Sequence, residues 1–233
     1  MYDRALKVFE QVQHIDPDYE PAYCNRIITY TEIGRHDLAE QMFYLAQQIN
    51  ERCPLCFYNI GNSLFIRGMY KQAICCWKKT KELEPNHPQI NYRIAQACWA
   101  DGQADQAKEY FLEELRANAG DTDVIMDFGL FLLENGQKEA AREKFNRALE
   151  LETDCAAAMF YLGELARDAG QRDEAAEHYK AAMKADGEML GPNYRLAQYA
   201  MDAGQSVEAR AYLLAELQTG PEDAEDLVSM GSM

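Results

Sequence analysis

Small and large apolar positions recur along this chain with a fixed period of 34 residues. The first column is glycine, at Gly34, Gly68, Gly102, Gly136, Gly170 and Gly204. Five residues after each glycine stands an alanine, at Ala39, Ala73, Ala107, Ala141, Ala175 and Ala209. Four residues later comes a large apolar side chain: Phe43, Trp77, Phe111, Phe145, Tyr179 and Leu213. Three columns that keep phase over six periods indicate an array of structural repeats.

Each column has a physical role in a pair of helices. The glycine ends a first helix, because a left-handed C-cap costs little without a Cβ. The alanine lets a second helix approach closely, and the large residue one turn later fills the layer between the two helices. Seven residues before the glycine, five of the six repeats have another small residue, which we expect at the same crossing: Gly61, Ala95, Gly129, Gly163 and Ala197. Ile27 breaks this column in the first repeat, where we expect looser packing.

The pattern therefore predicts twelve paired helices and no strands. The first helices are predicted near 21–33, 55–67, 89–101, 123–135, 157–169 and 190–203. The second helices are predicted near 37–50, 71–84, 105–117, 139–151, 173–185 and 207–218.

The period and the order of glycine, alanine and aromatic residues resemble the tetratricopeptide repeat family. The resemblance covers six repeats, at 20–53, 54–87, 88–121, 122–155, 156–189 and 190–223. Residues 1–19 carry Ala5, Phe9 and Pro17 in the second-helix columns, which predicts the second helix of a partial leading repeat. Residues 224–233 are interpreted as a C-terminal cap or the start of a further repeat. The resemblance implies an all-α, right-handed superhelical solenoid of antiparallel helix pairs, and the two ends indicate a piece of a larger protein.

In this family the first helices line a concave groove that holds a polypeptide, so the resemblance predicts a binding surface. Aromatic residues and Met are typical interface anchors, and amides suit a peptide backbone because they both donate and accept hydrogen bonds. The predicted groove residues are Tyr58, Asn59, Asn62, Phe65, Tyr92, Arg93, Gln96, Trp99, Met126, Asp127, Leu130, Phe160, Glu164, Tyr194 and Arg195. Tyr92 and Trp99 are the leading candidates, and Cys24 occupies the column of Tyr92 in the first repeat. The alternative, that the aromatic side chains pack between repeats, stays open.

Acidic residues are concentrated in the groove columns of the later repeats. They are Asp123, Asp127, Glu134, Glu164, Asp168 and Asp202. We therefore expect an extended or helical partner segment with apolar residues towards the N-terminal repeats and basic residues towards the C-terminal ones. The alternative is a solvated acidic face. Repeat 54–87 is the one basic repeat, which leaves self-association open.

Composition narrows the classes of function. The net charge of −16 argues against nucleic acid and anionic membranes as partners. No apolar window is long enough for a membrane span, and the first residues do not resemble a signal peptide. The seven cysteines are an odd number at irregular spacings, which favours reduced thiols and a cytoplasmic protein.

The sequence has few candidate motifs for catalysis or metal binding. Cys53 and Cys56 form a CxxC pair that could join Cys75 and Cys76 around zinc, but we expect the two pairs to lie too far apart. Phosphate-binding loops and catalytic motifs are absent from the sequence. The sequence thus predicts a scaffold without catalytic residues, metal or cofactor. The alternatives are a substrate-recruiting arm of a larger enzyme, for example a glycosyltransferase, and a self-assembling structural module.

Overall fold

A computed structural model describes residues 2–219, and within that range the chain forms thirteen α-helices and no strand. The helices are α1 (Tyr2–Ile15), α2 (Glu20–Glu32), α3 (His36–Ile49), α4 (Pro54–Ile66), α5 (Tyr70–Leu83), α6 (Ile90–Ala100), α7 (Ala104–Ala117), α8 (Thr122–Glu134), α9 (Lys138–Leu151), α10 (Ala156–Asp168), α11 (Arg172–Ala185), α12 (Pro192–Asp202) and α13 (Ser206–Thr219). The predicted all-α class is confirmed. The predicted cap at 224–233 lies outside the described residues.

The chain divides into two compact units at residues 119 and 120. In the first unit α2 packs on α3, α4 on α5 and α6 on α7, and α1 packs on α2. In the second unit the pairs are α8 with α9, α10 with α11 and α12 with α13. None of the described helices is long and apolar enough to cross a bilayer.

The periodic glycines end the first helices, as their position predicts. All six have positive φ, between 71° and 77°. Around Gly34 the chain makes the paired bonds of a Schellman turn: Gly34 N–H donates to Thr31 O at 3.0 Å, and Arg35 N–H donates to Tyr30 O at 2.8 Å. The same glycine conformation at each repeat fixes the direction in which the second helix leaves.

The small residues lie where the two helices of a pair cross. A Cβ added at Gly61 would come within 2.5 Å of Trp77 Nε1, and one added at Gly129 within 2.6 Å of Phe145 Cε1. Trp77 and Phe145 are fully buried against these glycines. In the first pair Ile27 replaces the small residue and is itself buried, while the aromatic of that repeat, Phe43, remains partly exposed. The predicted close approach at the small column is confirmed at Gly61 and Gly129.

Buried carboxylates set the start of two first helices, a feature that the sequence pattern did not reveal. Glu114 of α7 is 6% exposed, and its Oε2 accepts from the backbone N–H of Tyr92 at 3.3 Å. Glu216 of α13 is 3% exposed and accepts from the N–H groups of Gly191 and Tyr194. These N–H groups have no acceptor within their own helix, so a carboxylate there also complements the helix dipole.

Ion pairs connect neighbouring repeats. Arg67 pairs with Glu40 of the preceding repeat, and Lys81 pairs with Glu113 of the following one at 2.5 Å. The cations that make repeat 54–87 basic are thus partly matched by acidic neighbours within the same unit. Because these side chains are about one-third exposed, each pair contributes little to stability, on the order of 1 kcal/mol or less.

Candidate functional site

A cleft in the first unit brings together four of the predicted groove residues. It has a volume of about 210 Å³ and lies between first helices α2, α4 and α6. The predicted residues that line it are Asn59, Asn62, Phe65 and Arg93. Ile28 and Ile66 add exposed apolar surface, at 39% and 64% exposure. The cleft therefore combines apolar walls with amide and guanidinium groups.

Two polar groups of residues that line this cleft have no hydrogen-bond partner within the described part of the chain. The Asn62 side chain is half-buried and has no hydrogen-bond partner among the described residues. Arg93 Nη1 donates to Gln96 Oε1 at 3.3 Å, but its Nε is buried without a partner within residues 2–219. Buried polar atoms are usually paired, so an unpaired one in a residue that lines a cleft is a candidate contact for a bound molecule. Asn59 differs, because it is 3% exposed and its Nδ2 donates to Cys24 O at 3.4 Å.

The leading aromatic candidates lie closer to the core than their column suggests. Tyr92 is only 9% exposed, and its ring centroid is 6.3 Å from that of Phe111. Trp99 is partly buried, with its ring also 6.3 Å from Phe111. Tyr58 is half-buried with its ring 4.4 Å from His87. Packing between the helices of a repeat therefore accounts for much of the surface of these rings.

A larger cleft lies in the second unit, between α10 and α12. Its volume is about 610 Å³, and its lining includes the predicted residues Phe160, Glu164, Tyr194 and Arg195. Met189 and Leu190, in the loop before α12, extend the apolar wall. The other predicted residues of this unit, Met126, Asp127 and Leu130, are half-buried on α8 and do not belong to this lining.

Glu164 is the centre of an internal polar network in this cleft. Arg195 binds its carboxylate through two hydrogen bonds, from Nε to Oε1 at 2.9 Å and from Nη2 to Oε2 at 3.1 Å. Arg167 Nη2 lies 2.9 Å from Oε2, and the Tyr179 hydroxyl donates to Oε1 at 2.6 Å. Burial, together with this carboxylate, raises the pKa of Tyr179. Glu164 is thus already neutralised by the chain itself.

Two more of the acidic residues expected to face a basic partner are also paired within the second unit. Asp168 Oδ2 accepts from Lys138 Nζ at 2.7 Å, and this hydrogen bond lowers the pKa of the Asp168 carboxyl. Asp202 lies 3.3 Å from Arg172. Asp123, by contrast, is exposed. The cleft between α10 and α12 is therefore an apolar pocket with a balanced set of charges.

The cysteines of the first unit correct one expectation. Cys24 of α2 and Cys56 of α4 are joined in a disulfide, whereas we expected all seven thiols to be reduced. Cys24 is 1% exposed, so it does not face the groove as its column predicts. Cys53 lies beside the disulfide, and Glu20 completes a compact group with these three cysteines. Cys75 and Cys76 of α5 do not belong to this group.

Sequence reasoning missed this group because it compared Cys53 and Cys56 only with Cys75 and Cys76 and not with the cysteine of the neighbouring first helix. Cys24 and Cys56 are 32 residues apart, close to one period, which places them on adjacent first helices. Glu20 and Cys24 are four residues apart and therefore share a helix face. The period and this spacing together were the signal that could have found the group.

Comparison with known protein families agrees with the repeat pattern. A family model described as "YpiA-like, C-terminal tetratricopeptide repeats" matches residues 88–154. A second, described as "Tetratricopeptide repeat", matches residues 126–189 and 165–224. The two models together span residues 88–224, which is more than half of the chain.

Two curated proteins match parts of the chain. The TPR repeat-containing protein YpiA of Bacillus subtilis (strain 168) is 25% identical over 134 residues, covering 57% of this chain and 31% of YpiA. The small glutamine-rich tetratricopeptide repeat-containing protein 2 of Mycosarcoma maydis is 23% identical over 94 residues, covering 40% of this chain and 27% of that protein. The matches thus span about a third or less of the length of these relatives.

Solved structures share the fold. The C-terminal part of a TPR repeat-containing protein from Cytophaga hutchinsonii matches with a TM-score of 0.74 and 18% identity, over 100% of this chain and 95% of that one. YrrB, described as a TPR protein with an unusual peptide-binding site, matches with a TM-score of 0.65 and 20% identity, over 83% of this chain and 97% of that one. With the periodic sequence, the paired helices and the two family models, these matches lead to one conclusion: the chain belongs to the tetratricopeptide repeat family.

Proposed function

We propose that this protein is a scaffold that binds a segment of another polypeptide against the first helices of its repeats. The observation that carries the proposal is the cleft between α2, α4 and α6, where the Asn62 amide and Arg93 Nε have no partner among the described residues. Scaffolding of protein–protein interactions is the general role of this family, whose models match the chain. We propose no catalytic step for it, and we propose that it lies in the cytoplasm with the Cys24–Cys56 pair reduced.

The chemistry of the cleft indicates an apolar peptide segment. The side chains of Ile28, Phe65 and Ile66 offer an apolar wall for one or two aliphatic or aromatic residues of a partner. The Asn62 amide can donate to a peptide carbonyl and accept from a peptide N–H, and Arg93 can donate to a second carbonyl. Contacts with the peptide backbone give affinity for many sequences, while the apolar wall selects among them.

The cleft of the second unit supports the same type of ligand. Phe160, Tyr194 and Leu190 surround an apolar space that can accept a second hydrophobic side chain. Because Glu164 and Asp168 are already paired within the chain, we propose that apolar residues of the partner contribute more to binding here than basic ones. YrrB, a protein of the same fold, has a peptide-binding site described as unusual, which supports peptides as the ligand class.

Selection from a random peptide library displayed on phage, with the whole chain as bait, tests this function. We expect enriched peptides to share apolar residues and to bind the wild-type chain with micromolar affinity. The double variant Asn62→Ala/Arg93→Ala is expected to bind them between about tenfold and a hundredfold more weakly, because the loss of two hydrogen bonds in a partly desolvated site costs roughly 1.5–3 kcal/mol. Isothermal titration calorimetry measures the difference.

The matched control is Asn146→Ala/Arg116→Ala, which removes the same two residue types at exposed positions on α9 and α7. It should bind the selected peptides as the wild type does. If no peptide is enriched, or if both double variants bind equally well, the cleft of the first unit is not a peptide site.

A further inference from the structure

Three cysteines and one carboxylate converge in the first unit from two separate helices. Glu20 and Cys24 lie on the same face of α2, and Cys53 and Cys56 lie at the start of α4. Their four ligand atoms all lie within 4.8 Å of one another. The three cysteines are at least 95% buried, and Glu20 is partly exposed.

The carboxylate of Glu20 lies close to the sulfurs of Cys24 and Cys56. Glu20 Oε1 lies 2.7 Å from Cys24 Sγ and 2.8 Å from Cys56 Sγ. When these two sulfurs form the disulfide, neither carries a proton, so neither can donate a hydrogen bond to the carboxylate. Cys53 Sγ lies 3.5 Å from Cys24 Sγ, close to the sulfur–sulfur edge of about 3.8 Å in a tetrahedral zinc–thiolate site.

The local backbone is arranged for a thiolate. Cys53 is the N-cap residue of α4, with Pro54 after it, and its Sγ accepts a hydrogen bond from Cys56 N–H at 3.2 Å. The positive end of the helix dipole favours an anion at this position. A divalent cation bound here would balance the negative charge of the thiolate and carboxylate ligands.

We propose that, in the reduced chain, Glu20, Cys24, Cys53 and Cys56 form a tetrahedral site for one Zn²⁺ ion. Thiolate sulfur with one carboxylate oxygen, in a closed and largely buried four-ligand set, is the donor chemistry of structural zinc rather than of Ca²⁺ or Mg²⁺. Such an ion would join α2 to α4, and thus the first repeat to the second. This site is independent of the peptide cleft and adds to the proposed function.

The disulfide and the metal site are alternative states of the same sulfurs. A phosphine reductant and one water convert the Cys24–Cys56 disulfide into two thiols, while the phosphine becomes a phosphine oxide. Binding of Zn²⁺ then releases the three protons of the Cys24, Cys53 and Cys56 thiols to solvent. Disulfide formation removes two of the four ligands, so the oxidised chain should not hold the ion.

Titration with Co²⁺, followed by Zn²⁺, tests the site in the whole chain. The chain is reduced with a phosphine and freed of metal before Co²⁺ is added. We expect one Co²⁺ per chain, with the intense visible bands of tetrahedral cobalt and a sulfur-to-cobalt charge-transfer band, and displacement by one equivalent of Zn²⁺. The air-oxidised chain, with its disulfide verified by mass spectrometry, should show neither band.

Two variants locate the ion. Cys53→Ser removes a ligand without touching the disulfide pair and should lose most of the charge-transfer band and bind Co²⁺ roughly tenfold or more weakly. Cys75→Ser/Cys76→Ser removes two thiols outside the group and should behave as the wild type. Circular dichroism must show that both variants are helical. If the reduced wild type binds no stoichiometric tetrahedral Co²⁺, or if Cys53→Ser binds it unchanged, the proposal is wrong.

Discussion

Replacement of Gly129 by valine is expected to reduce the free energy of unfolding of the second unit by about 3 kcal/mol or more. A Cβ at this position would lie 2.6 Å from Cε1, 3.0 Å from Cδ1 and 3.1 Å from Cζ of Phe145. The Phe145 ring is fully buried between α8 and α9, so it has no open space into which to move. The two methyl groups of valine add further overlap, and the helix pair must separate to accept them.

Urea denaturation followed by circular dichroism measures this loss. The control is Gly120→Ala, because an added Cβ at Gly120 meets nothing within 4 Å. That variant should remain within about 0.5 kcal/mol of the wild type. A Gly129→Val protein as stable as the wild type would contradict the close crossing on which the helix pairs depend.

The second large loss of stability is expected when Glu164 is replaced. Glu164→Ala should destabilise the second unit by about 3 kcal/mol, because it leaves the Arg195 guanidinium and the Tyr179 hydroxyl without their shared acceptor. The side chains of Glu164 and Arg195 are only 16% and 14% exposed, so water replaces the lost contacts poorly. Glu164→Gln keeps one acceptor oxygen and should cost less than the alanine variant.

The matched control is Glu150→Ala, which removes a carboxylate from the exposed pair with Arg147. Since these side chains are 65% and 48% exposed, the loss should stay below about 1 kcal/mol. Equal urea midpoints for Glu164→Ala and Glu150→Ala would show that Glu164 has no structural role and is available to a ligand.

The fold was predictable from the sequence because its signals are local. Gly34 and its five counterparts set the helix ends through their positive φ, and the observed helix bounds fall within two residues of the predicted ones. The small residue that meets Trp77 or Phe145 follows from the same period. These features depend on spacing along one helix pair, which a sequence displays directly.

The burial and the bonding partners of individual site residues were less predictable from the sequence, since they depend on side chains of adjacent repeats. Tyr92 and Tyr194 occupy the same column, yet Tyr92 is 9% exposed against the α6–α7 pair while Tyr194 lines a cleft. Glu164 has a groove position, but its carboxylate accepts a hydrogen bond from Arg195, 31 residues later. The disulfide between Cys24 and Cys56 likewise requires two first helices to be neighbours.

Site-specific photocrosslinking shows whether the first helices are the surface that binds a polypeptide. A benzoyl-phenylalanine is placed either at Ile28, on the cleft wall of α2, or at Tyr44, which is 65% exposed on the second helix α3. Both positions belong to the first unit, and both modified chains must bind a phage-selected peptide as the wild type does. We expect the peptide to be crosslinked from position 28 and not from position 44. Crosslinking from position 44 alone would place the ligand on the second helices and refute binding by the first.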